Sequence, residues 1–434
     1  MKNLKLTFLL TCMVFFGFSQ NPIIPGYFAD PSIKNFNGKY YIYATTDGYG
    51  PFGNDGQPLV WVSDDLVQWK PEKLEGFPNE TIWAPAVIKG KDNKYYVFCQ
   101  NSIDYSGYVY KGDSPTGPFK KVSHLGGFDL EPFLDPVSGK IFGISATKQL
   151  LEMNNDIDSP DYLTKVVKTI PLQGELFDFT EGPYMFYKNG FYYLMWAGGR
   201  CWQRSYNIKY AVSKNIEGPY KSIGKGIILA TDEKQNVLGP GHNSIIELNG
   251  RYFTFYHRQD PDAVNPCASR FSCVSEVVFN KDGAVEFKQL VDDLPKTLGI
   301  KSKMINYALN AETFANTEGL KHRAVYATDG KNDTRWTTEV NQQGQLSINL
   351  GQERAIKQIE VDFEYPDKWH TFKLEYSNDN QNWTTIVDHT QQAVQAYPNM
   401  FTDVDIKAKF IKLSINNSED RTASVWEVKV YGNP

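Results

Sequence analysis

"DFTEGPYMFYKNGFYYLMW", residues 178 to 196, is two strand-forming runs joined by an Asn189-Gly190 turn, and the turn matters because it recurs. "NGKYYIYA" (37 to 44), "DNKYYVFC" (92 to 99), "SGKIFGIS" (138 to 145) and "NGRYFTFY" (249 to 256) each set a tight-turn signal before an aromatic-rich strand. Roughly ten residues before each lies a shorter apolar strand, starting at Asp30, Ala84, Asp129, Glu181 and His242. Hairpins repeated about every fifty residues, with outer strands such as "VWVSDDLVQW" between them, predict a five-bladed β-propeller.

In a propeller the innermost strand of every blade runs along the central axis, so residues that open those strands meet in space. Asp30, the Trp83-Ala84 pair, Asp129, Glu181 and His242 are that set, and three blades supply a carboxylate. One such residue is ordinarily a solvated turn former. Three in register are not, because Asp and Glu are poor strand residues and like charges repel when crowded.

Composition agrees with an all-β chain: aromatics are 14% of 434 residues and charged residues 22%. A net charge of -5 without a basic stripe argues against nucleic-acid and anionic-membrane partners and favours a neutral substrate. Met1 to Ser19 reads as a secretory signal, with Lys2 and Lys5 before an apolar run too short to span a bilayer, cleaved near Ser19 or Gln20. The expected location is periplasmic or secreted without membrane insertion; Cys12 leaves a lipoprotein as the alternative. Of the four remaining cysteines, the close spacing of Cys267 and Cys273 suggests a loop-closing disulfide, while Cys99 is either paired or a buried thiol.

Residues 22 to 300 resemble glycoside hydrolase family 43. "FADPSIKNFNGKYYIYAT" resembles its first-blade motif, "TIWAPAVI" its second and "TEGPYMFYKNGFYYL" its fourth. The resemblance implies an inverting glycosidase in which Asp30 is the general base, Glu181 the general acid and Asp129 the carboxylate that tunes the acid; Glu131, in "DLEPFL", is the alternative for this third role. It also places His242 under the site, beside a possible calcium or sodium ion whose hydration shell it would touch. Trp83 and Trp202 are candidate sugar platforms or core residues, and Arg200 and Arg258 hold either substrate hydroxyls or structural ion pairs. The chemistry asks for such a set, since glycosidic cleavage pairs a protonated carboxyl with an ionised one, about 6.5–9.5 Å apart when configuration inverts. No cofactor is needed for it.

After Leu298 the repeat ends, and short alternating strands up to "SVWEVKVYG" predict a β-sandwich over residues 301 to 434, following the propeller of 21 to 300. "ATDGKNDTRW", Trp383 and "WEVKVYG" resemble a discoidin, or factor 5/8 type C, domain, the class that includes carbohydrate-binding module family 32. The resemblance implies a structural calcium held by Asp329, Thr334 and Glu427, a set of hard oxygen donors suited to that ion. Trp369, His370 and Tyr397 are candidates for a glycan-binding face. The expected activity is exo-acting release of a terminal pentose, β-D-xylose first, then α-L-arabinofuranose, then β-galactan cleavage. A retaining fructan hydrolase lacks its motifs here, and a non-catalytic glycan-binding protein would not require an acid and a base.

Overall fold

The computed structural model describes residues 21–47, 57–77, 82–101, 104–417 and 422–434. Met1 to Ser19, the stretch expected to be a secretory signal, lies outside the described residues. Among these, five four-stranded antiparallel sheets form the blades, with inner strands Phe28–Phe36, Ile82–Lys89, Leu130–Leu134, Glu181–Lys188 and Gly241–Leu248. Each inner strand neighbours the next around the axis, and the fifth returns to the first. The ring is latched by the N-terminal segment: Ile23 N–H donates to Ser272 O at 2.8 Å, and Asn21 pairs with the backbone of Val274.

The aromatic residues of the repeated hairpins fill the spaces between blades, which is why the repeat is so rich in Tyr and Phe. Tyr43, Val97 and Tyr110 join blades one and two, and Trp196 and Tyr220 sit between blades three and four. The space between blades five and one is different. Phe28, Trp61 and Phe253 of the propeller merge there with Ile359, Phe363 and Met400 of the C-terminal unit in one continuous core.

That unit is the expected sandwich, nine strands among the described residues, with long central strands Gly344–Phe363 and Phe401–Asn417. Its joint with the propeller is extensive. Lys70 lies over the Phe401 ring at 4.7 Å, Gln68 Nε2 donates to Gln358 Oε1 at 2.8 Å, and the backbone N–H of Gln57 donates to Asp367. Tyr27 meets Trp426 edge-on at 5.3 Å, and Trp426 meets Phe271 at 5.8 Å. Such pairs add about 0.5–1.5 kcal/mol each beyond burial. The joint therefore holds the two units in one arrangement.

The cysteine expectation is corrected. Cys201 pairs with Cys267, Cα atoms 5.1 Å apart, whereas Cys273 and Cys99 are buried free thiols. Cys273 lies within the strand Arg270–Phe279, facing the core, so its side chain is turned away from the loop that carries Cys267. The true partner lies 66 residues away and arrives because loops of adjacent blades share one face of the ring.

Candidate active site

The strand openings share a backbone device. Asp30, Ala84, Asp129, Gly182 and His242 all have positive φ, between 43° and 58°, and in four blades the strand register slips at that point. A left-handed residue within a bulge re-aims a side chain. Repeated around the ring, the device brings Asp30, Asp129 and His242 together at the axis: His242 Nδ1 is 3.4 Å from Asp30 Oδ1 and 3.8 Å from Asp129 Oδ2.

Blade four corrects the sequence reading by one residue. The equivalent of Asp30 there is Gly182, so Glu181 shares its position with Ala29, Trp83, Phe128 and Gly241. Glycine is required: a Cβ on Gly182 would lie 2.8 Å from His242 Cγ, with φ at +58°. Its N–H donates to Asp129 Oδ2 at 2.6 Å, so the residue after Glu181 anchors the third carboxylate.

Around Asp30 the structure adds residues that the motifs did not reveal. Arg270 Nη1 donates to Asp30 Oδ1 at 3.0 Å, and its Nε and Nη2 grip Asp47 at 2.8 and 3.1 Å. Thr45 Oγ1 donates to Asp30 Oδ2 at 2.6 Å, and His257 Nδ1 lies 3.0 Å from Oδ1. Tyr206 donates to Glu181 Oε1 and stacks parallel to His257 at 5.7 Å.

These surroundings push the carboxyls apart. Burial alone would raise Asp30, but Arg270, His242 and His257 override it and hold the carboxyl well below the usual range. Glu181 goes the other way: burial first, then the negative charge of Asp129, raises it against the Tyr206 hydrogen bond. Asp129 is also raised by burial, opposed by His242 and the Gly182 N–H, and burial pushes Asp47 up to about 7 despite Arg270. Burial would lower His242, yet Asp129 and Asp30 raise it, whereas burial and Arg270 take His257 down to about 4. The surroundings thus push Asp30 toward its ionised form and Glu181 toward its protonated form, an arrangement suited to paired acid and base chemistry.

Glu131 belongs to a lower level, buried and paired with Lys34 at 3.0 Å. Among the described residues no group of three or more His, Cys, Asp or Glu side chains is arranged to ligate a metal ion directly; an axial ion met by His242 only through its water shell would not require one. Trp83 is half-buried and lies 5.4 Å from the exposed Tyr105 ring, an aromatic pair at the level of Glu181. Arg200 and Trp202 lie exposed on the loop that Cys201 ties to blade five, Trp202 at 60%. Arg258 does not join the group: buried, it pairs with Asp333 of the sandwich and stacks on Phe271 at 5.1 Å, the structural ion-pair role. Its neighbour His257 is the one that touches Asp30, as strand alternation requires.

In the sandwich, Thr334 Oγ1 donates to both oxygens of Asp329 at 2.9 and 3.0 Å, and Glu427 Oε1 accepts from Gly330 N–H at 2.8 Å. Burial, with Asp329 nearby, raises Glu427 well above its ordinary value, and its Oε2 has no hydrogen-bond partner among the described residues. Two adjoining carboxylates with an orphaned oxygen fit a hard divalent cation. Of the candidate glycan face, Trp369 is exposed, His370 is buried against Phe363 at 4.7 Å, and Tyr397 is half-buried.

Comparison with known proteins agrees with this construction. The glycosyl hydrolases family 43 model matches residues 19–285, and the F5/8 type C domain model matches residues 309–428. The chain is 28% identical over 301 residues to a protein described as a beta-D-galactofuranosidase from Aspergillus niger, covering 61% of this chain and 83% of that one. It is 29% identical over 310 residues to a xylan 1,3-beta-xylosidase from a Vibrio species, covering 64% of this chain and 56% of that one. A solved structure described as a glycoside hydrolase superposes with a TM-score of 0.80 at 24% identity, covering 95% of this chain and all of the other, so the two-unit fold is shared. The chain belongs to glycosyl hydrolases family 43, and its substrate is a carbohydrate.

Proposed function

We propose that this family 43 glycosyl hydrolase is an exported, exo-acting, inverting enzyme that releases a terminal pentose, β-D-xylose before α-L-arabinofuranose, from plant or algal polysaccharide or its oligosaccharides. The observation that carries the reading is that Asp30 and Glu181, beside each other at the propeller axis, are pushed in opposite directions, Asp30 down by Arg270 against its burial and Glu181 up by burial and Asp129. Asp30, ionised, takes a proton from water as the water oxygen attacks the anomeric carbon; Glu181 gives its proton to the departing glycosidic oxygen. Both carboxyls then recover their starting states by exchange with solvent. Burial and then Asp129 favour the protonated form of the acid, and Arg270 favours the ionised form of the base against its burial. Trp83 offers an aromatic face to the sugar beside the acid.

Specificity is read by turnover. Incubation with 4-nitrophenyl β-xyloside and α-arabinofuranoside is expected to favour the xyloside, with the anomer released first being the inverted one by NMR. Preference for the arabinofuranoside would replace xylose. Turnover of neither, with cleavage of a β-galactofuranoside or β-galactan, would overturn the pentose reading, and the Aspergillus relative's name makes the furanoside the natural third substrate.

We further propose that Asp329, Thr334 and Glu427 hold a calcium ion whose role is structural. Calcium at 100-fold its Kd is expected to add about 2.7 kcal/mol to stability, raising Tm in wild type but not in Glu427→Gln. An unchanged Tm after chelation and after calcium addition would remove the ion from the account.

A further inference from the structure

The segment leading to Asp30 is gripped by the sandwich. Gly26 packs so close to Trp426 that an added Cβ would lie 3.2 Å from its Nε1. The Tyr27 ring is held between Trp426 at 5.3 Å and Phe271 at 5.0 Å. Its hydroxyl donates to Asp260 Oδ2 at 2.6 Å and accepts from Arg335 Nη1 at 3.2 Å. Arg335 is itself fixed, 3.2 Å from Glu364 and stacked over Trp426 at 4.8 Å.

From Tyr27 two connections reach the carboxylate three residues later. One is the main chain itself. The other runs through hydrogen bonds: Tyr27 O accepts from Asp47 N–H at 2.9 Å, the Asp47 carboxylate holds Arg270, and Arg270 holds Asp30. A second grip reaches the strand that carries Arg270, through Asp333, Arg258 and the Phe271 ring. The sandwich therefore touches both strands whose side chains meet in the Asp30–Arg270 pair.

We infer that Arg335, acting through Tyr27, is a positioning residue for Asp30, and that the sandwich is a working part of the hydrolytic site. This rests on the reading of Asp30 as the base. Orientation of a reacting group controls rate steeply, so a small displacement of Asp30 lowers kcat while substrate contacts elsewhere keep KM. Asp30 is faced by Arg270, Asp47, His242, His257, Asp129 and Glu181, and Tyr27 by Arg335, Asp260 and Glu364. Among these Arg270 holds the base ionised; a loosened grip raises the carboxyl and moves the acidic limb of the rate profile to higher pH.

The experiment uses full-length Arg335→Met, Arg335→Lys, Tyr27→Phe and the Arg335→Met/Tyr27→Phe double variant on the aryl glycoside that wild type turns over best, with Asp30→Asn alongside. Arg335→Met and Tyr27→Phe are each expected to lose about tenfold in kcat, with KM within about twofold and the acidic limb shifted upward. The double variant should be no worse than the poorer single one, and Arg335→Lys should recover part of the loss. Should Arg335→Met not fold, Tyr27→Phe, which removes one oxygen, carries the test. A wild-type kcat and pH profile in a folded variant, a loss confined to KM, or losses that multiply in the double variant would overturn the inference. Asp30→Asn separates the two failures: if it stays active the base assignment falls, and if it is inactive while Arg335→Met behaves as wild type only the positioning role falls.

Discussion

Asp30→Asn is expected to lose about 10³-fold in kcat on activated and natural substrates alike. The variant is a clean one. Asn tolerates positive φ, so the left-handed backbone at 54° survives, and the amide keeps the size of the carboxyl between Thr45 and Arg270. What disappears is the ability to take a proton from water. Because that step does not depend on the leaving group, aryl glycosides and oligosaccharides should suffer equally. Rates of both substrate types, with circular dichroism to confirm folding, decide the matter. Activity within tenfold of wild type on either would exclude Asp30 as the base, leaving Asp129, the other carboxylate beside His242, as the candidate.

The hairpin repeat was readable because aromatic strands behind Asn-Gly, Asp-Asn and Ser-Gly turns are a local signal, and five copies of a local signal define a ring. The axial trio of Asp30, Asp129 and His242 was readable for the same reason, since each opens a strand. Glu181 was found in the right motif but set one residue out of step, because only the backbone shows that Gly182 occupies the left-handed position. Arg270 and Asp47 carry no motif of their own. Their meaning arises when blade five closes against blade one, a contact between residues 223 positions apart. In "YHRQD" the charged Arg258 drew attention, yet two successive strand residues face opposite ways, and it is His257 that reaches Asp30. The disulfide failed on the same ground: spacing along the chain says nothing about loops brought together by neighbouring blades.

Glu181→Gln is expected to divide substrates. On an oligosaccharide, whose departing sugar oxygen needs a proton, kcat/KM should fall about 10³–10⁴-fold; on a 4-nitrophenyl glycoside the loss should be about tenfold, since that leaving group departs as a stable anion. Geometry should persist, because the amide oxygen of Gln can accept the Tyr206 hydroxyl as Glu181 Oε1 does. The pH profile gives a second, independent reading. Glu181 is active when protonated and is held above its ordinary value by burial and Asp129, so wild-type activity should fall as pH rises through that raised value. Gln does not titrate, so on the aryl substrate this alkaline limb should vanish. The acidic limb belongs to Asp30, which must be ionised and is held low by Arg270 against its burial, so it should stay where it was. Equal losses on both substrates, or an alkaline limb that survives, would take the acid role from Glu181. The proton donor would then be Asp129, a raised carboxyl that lies beside His242 at the axis.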